Sequence, residues 1–103
     1  MRAPHVSKEV LLEERGTHAD EGETSMMLVI APDTVDMSKA VKDCAPKDPG
    51  PLSRDPKSAN YTPSGVFGDA TLATRVKGER LCAAFTDLVV KEIEELRTAP
   101  LPK

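Results

Sequence analysis

The sequence predicts a mostly helical chain organised around one long proline-rich loop, and three observations carry that expectation. Apolar residues recur at three- and four-residue spacing over about 72–97, the mark of an amphipathic helix. A six-residue apolar run, Met26 to Ala31, stops at Pro32. Between Cys44 and Asp69 lie Pro46, Pro49, Pro51, Pro56 and Pro63 together with Gly50, Gly65 and Gly68, so regular structure is not expected there.

Each element has its own signals. Ser7 is placed to cap a first helix running to about Arg15, with Val6 and Leu11 as a hydrophobic staple and Gly16 as the stop. Periodicity alone leaves the run from Met26 open between a buried strand and a buried helix segment. Three features favour helix: Thr24 or Ser25 as cap, Asp20, Glu21 and Glu23 near its positive end, and methionines in place of a mostly β-branched composition. Pro32 ends it, because the residue before a proline is pushed out of the helical region. In the last helix Leu81, Phe85, Leu88, Val89, Ile93 and Leu96 form one apolar stripe, while Arg80, Asp87, Lys91, Glu94 and Glu95 face away. Gly78 should weaken that helix by about 1 kcal/mol relative to alanine. Thr98 to Lys103 reads as a fraying tail.

Composition narrows the functions. In a chain of 103 residues, 39% are hydrophobic and 3% aromatic, which allows one domain at most, and a marginal core. A net charge of -3 offers no basic field for phosphates, and Tyr61, Phe67 and Phe85 are too scattered to stack bases, so nucleic acid is not an expected partner. No apolar run approaches the roughly 20 residues that cross a bilayer, and a signal-peptide core is missing, so a cytoplasmic protein without membrane partners is expected. Cys44 and Cys82 read as free thiols, and neither has the neighbours of a zinc site. Asn60-Tyr61-Thr62 matches the glycosylation pattern by chance. Glycine-rich phosphate loops, Gly-x-Ser-x-Gly and His-Glu-x-x-His are absent, which removes most nucleotide and common hydrolase chemistries.

The densest chemistry lies in His18-Ala19-Asp20-Glu21-Gly22-Glu23-Thr24-Ser25-Met26-Met27-Leu28. It sets one imidazole and three carboxylates against an apolar segment, as a proton-transfer site beside a core would. Read from the residues alone, the acids are helix-terminus electrostatics, His5 has no role, and Arg75, Lys77 and Arg80 form a solvated basic face.

The run from His18 through Glu23-Thr24-Ser25 to Pro32-Asp33 resembles the signature around the catalytic histidine of the creatininase-type amidohydrolases. The stretch Ser64 to Thr74, followed by Lys77-Gly78-Glu79-Arg80-Leu81, resembles the same family's second C-terminal signature. The resemblance runs from about Leu11 to Leu96. It implies an α/β fold, with residues 1–103 forming the C-terminal part of a three-layer α/β/α domain. It also implies hydrolysis of a small cyclic or linear amide by a metal-activated water, with His18 as proton donor and acceptor and Glu23 as the acid that orients the site. The family's metal motifs, a Glu-x-His-Gly-x-His type run among them, are not in this sequence. A divalent metal, zinc or manganese, is therefore expected of the full-length family domain and not of this chain alone. A homo-oligomer is implied as well.

Two departures bear on substrate. Asp20 stands where the family commonly has glycine, and Glu14-Arg15-Gly16-Thr17 replaces the aromatic and acidic residues that grip creatinine. Some other small amide or formamide is the expected substrate. The alternative is a non-catalytic remnant or a small oligomerising interaction module.

Overall fold

The computed structural model describes residues 4–47 and 50–102. Among them are three helices, α1 (Pro4–Val10), α2 (Glu21–Ile30) and α3 (Arg75–Thr98), and a two-stranded sheet of β1 (Lys42–Asp43) and β2 (Gly68–Asp69). Single 3₁₀ turns stand at Pro32–Thr34, Met37–Lys39 and Ala70–Leu72. The architecture mixes helix with a small sheet.

The first helix differs from the expected one at both ends. Ser7 lies buried inside α1 and is not its cap, and the helix ends at Val10, well before Gly16. The cause is a competing acceptor. Leu12 N and Glu13 N donate to the Glu21 Oε1 carboxylate oxygen at 2.7 and 2.9 Å, which draws the backbone away from the next helical turn.

The second segment is helical, with Asp20 as N-cap in place of Thr24 or Ser25. Its Oδ1 accepts from Glu23 N at 3.0 Å, while Glu23 Oε2 accepts from Ala19 N at 2.6 Å, a reciprocal pair of the capping-box kind. The buried face is polar and small, formed by Glu21, Gly22 and Ser25, whereas Met27 and Ile30 of the apolar run are exposed.

Crossing of α2 over α3 forms the main helix contact, and its closeness depends on Gly78. A Cβ there would run into the Ser25 carbonyl and come within 3.0 Å of Val29 Cγ2. Thr74 caps α3 through Lys77 N, and Thr74 N itself donates to Ser25 Oγ at 3.1 Å. Leu81 is buried beneath this crossing. Beyond it the stripe runs out of partners: Val89, Val90, Ile93 and Leu96 are exposed.

Pairing between β1 and β2 is antiparallel, Lys42 opposite Asp69 and Asp43 opposite Gly68. The residue before β2, Phe67, forms an antiparallel bridge with His18, so the segment 67–69 is flanked by β1 and by the turn before α2. Phe67 is buried, with the Arg15 guanidinium 5.1 Å from its ring centre. Residues 44–47 and 50–67 are fastened by bonds such as Lys47 N to Ala59 O at 3.1 Å and Ser53 N to Asn60 O at 2.9 Å. At the far end Asp43 Oδ2 accepts from the Thr62 and Ser64 hydroxyls at 2.6 and 2.7 Å. These bonds hold the Asp43 carboxyl below the usual aspartate range.

Candidate active site

His18 is held by its backbone on both sides. Its N donates to Phe67 O at 3.2 Å and its O accepts from Phe67 N at 2.8 Å. The next residue, Ala19, has φ of 47°, the left-handed region that non-glycine residues visit rarely and at some cost. Asp20 then caps α2. The turn is thus fixed between a bridge and a helix start, and the half-buried imidazole projects from it with Nε2 3.4 Å from the Gly50 carbonyl. In the tautomer that donates Nε2–H to this carbonyl, Nδ1 carries the free lone pair.

His18 and Glu23 share the turn, but their hydrogen bonds go to different groups. Glu23 is exposed and spends one carboxylate oxygen on Ala19 N. It fixes the backbone immediately after His18. The deeper acid is Glu21, fully buried, which the sequence assigned only to helix-end electrostatics. Beyond its bonds to Leu12 N and Glu13 N, its Oε2 meets Lys77 Nζ at 2.7 Å, and Lys77 also donates to Leu72 O at 2.8 Å. Lys77 is therefore an internal cross-link and not part of a solvated face. Its partner could not be read from the sequence because the pair spans 56 positions.

A second acid was also missed. Glu13 Oε2 accepts from Asp69 N at 2.7 Å and Glu21 N at 3.1 Å, and its carboxyl neighbours the Asp20 side chain beneath Gly68. Asp20 is 2% exposed. Gly68 makes room for the pair: at φ of 138° it passes so close that a Cβ would lie 2.5 Å from Asp20 Cβ and 2.6 Å from Glu13 Oε2. Burial first, then the hydrogen bond from Asp20, pushes the Glu13 carboxyl up to about 7, against the backbone donors that oppose the rise. A cleft of about 340 Å³ between the helices is lined by Thr17, Asp20, Glu23, Met26 and Phe85.

A half-buried imidazole on a fixed turn, next in the chain to the buried acids Asp20 and Glu21, has the residue types of a proton-transfer site. Residues 2–93 match the family model of creatininase, creatinine amidohydrolase. The chain belongs to the creatininase family, and that membership supports amide hydrolysis as its class of chemistry. Comparison with curated proteins and with solved structures gave no match. The family is generally metal-dependent. Among the described residues, however, no group of three or more His, Cys, Asp or Glu side chains converges as metal ligands would. Glu13, Glu21 and Asp20 accept from backbone N–H groups, and Glu21 also from Lys77. The described residues do not fit the metal, and the chemistry they offer is that of their own side chains. No helix among them is long and apolar enough to cross a membrane.

Proposed function

We propose that this chain serves hydrolysis of the C–N bond of a small cyclic or linear amide, with His18 as the group that donates and accepts the proton. The observation that carries this reading is the double fixing of His18, by the bridge to Phe67 and the strained Ala19. Such fixing costs energy in a turn that only had to connect two segments, and it suits a ring that must meet a reacting atom repeatedly in one pose. His18 would pass a proton to the departing amide nitrogen, and Glu23 would keep the turn in register through Ala19 N. With Glu14-Arg15-Gly16-Thr17 ahead of the histidine and no tryptophan in the chain, an amide or formamide smaller than, or shaped unlike, creatinine is the favoured substrate.

The test is His18→Ala in a creatininase-type protein carrying this sequence, assayed on a panel of small amides. Turnover should fall roughly 10²–10⁴-fold, the usual worth of a positioned acid or base, with folding and metal content unchanged. Wild-type turnover in the variant, or loss of metal together with activity, overturns the assignment.

A second reading is supported by one observation of its own. The outer half of α3 presents Val89, Val90, Ile93 and Leu96 to solvent, as an oligomerising module without catalysis would. On that reading His18→Ala costs no more than substitution of any exposed residue.

A further inference from the structure

We propose that a cavity beside the His18 turn, walled by Arg15 and Lys47, binds a carboxylate, and that the amides this chain acts on carry one. The substrate class rests on the function proposed above; the anion site does not. The cavity has a volume of about 430 Å³, within the range of small-ligand sites, and is lined by Arg15, Gly16, Thr17, Lys47 and Phe67. Two of these residues are cations and none is an acid. The whole chain has a net charge of -3, so this corner runs against the average and sets up a local field for anions.

The fold fixes where the two charges stand. Arg15 Nη2 donates to Pro46 O at 2.8 Å, and the guanidinium lies over the Phe67 ring. These contacts hold the flat fork in place while using one of its five N–H groups. Lys47 follows Pro46 directly, and its N–H is pinned to Ala59 O at 3.1 Å, so its side chain starts next to the Arg15 anchor. Glu13 and Glu14 share a different cavity with Arg15. No ion pair, however, joins Arg15 or Lys47 to a carboxylate of the described residues, whereas Lys77 and Arg80 are taken by Glu21 and Glu9.

A guanidinium fork fixed in this way, with N–H groups to spare, suits the two oxygens of a carboxylate, and an ammonium on the opposite wall adds a second point charge. The position matters for the chemistry. Thr17 and Phe67 line the cavity and also hold His18, since Thr17 N and His18 N both donate to Phe67 O, at 2.9 and 3.2 Å. A carboxylate bound by Arg15 and Lys47 therefore keeps the rest of a small molecule beside the turn that presents the imidazole.

The test is titration of the full chain with N-acetylglycine and with its neutral counterpart N-acetylglycinamide, followed through the backbone amide shifts of Gly16, Thr17 and Phe67. The acid should bind roughly tenfold more tightly than the neutral amide, and its affinity should fall as salt is raised. Arg15→Gln should weaken the acid roughly tenfold. Lys47→Gln, at an exposed side chain with no folding contact, should weaken it roughly two- to fivefold. Neither should change binding of N-acetylglycinamide. Equal binding of acid and amide, or acid affinity unchanged in Lys47→Gln or in a folded Arg15→Gln, overturns the proposal; should Arg15→Gln fail to fold, Lys47→Gln decides alone. Binding is read without turnover, so failure here leaves the function proposed above standing, and failure of the His18→Ala test leaves the anion site standing.

Discussion

Around His18 single residues do several jobs, and their substitutions separate those jobs. Glu23 contributes through one bond to Ala19 N and through its charge at the start of α2. Glu23→Gln keeps the acceptor and loses the charge, so a loss of roughly 0.3–1 kcal/mol is expected, measured by urea unfolding. A loss several times larger would show that the carboxylate carries more than a cap. The sequence placed His18 and Glu23 on one turn, because both lie within six residues of a capping signal. It did not identify Glu13 or Lys77 as partners of that turn. Their partners are Asp69 and Glu21, and both contacts span 56 positions, a separation over which local pattern carries no information.

For the helices, propensity and packing point in opposite directions at Gly78. Considered as an isolated helix, α3 should gain about 1 kcal/mol from alanine at that position. In the folded chain the added methyl meets the Ser25 carbonyl, so packing decides the sign. Gly78→Ala should destabilise by about 2–3 kcal/mol, the scale of an overpacked contact, in a thermal or urea melt. A stabilised variant would mean that the two helices cross further apart than described. The apolar spacing marked α2 and α3 correctly as helices. It misplaced their starts, because Asp20 and Thr74 compete with equally good caps nearby and only the folded geometry chooses between them. In α1 the pattern failed at the stop, since a distant carboxylate, and not Gly16, ends the helix.

At the scale of the whole chain, the apolar stripe is longer than the surface available to cover it. Val89, Ile93 and Leu96 stay exposed on one side of α3. Self-association at tens of micromolar is the expected result, seen as a mass above the monomer in light scattering, and Val89→Ser with Ile93→Ser should abolish it. A compact wild-type monomer under the same conditions would refute this. The sequence showed the stripe but not where its cover ends, since burial depends on which elements reach it. The bond from Thr74 N to Ser25 Oγ has a further consequence, for the order in which the molecule comes apart. The first turn of α3 is completed by an atom of α2, so neither helix end can open while the other stays closed. The outer turns have no such tie and can unwind residue by residue from Thr98 inward. A single continuous helix thus holds a cooperative unit at one end and a fraying one at the other, and the boundary lies near Phe85, where burial gives out.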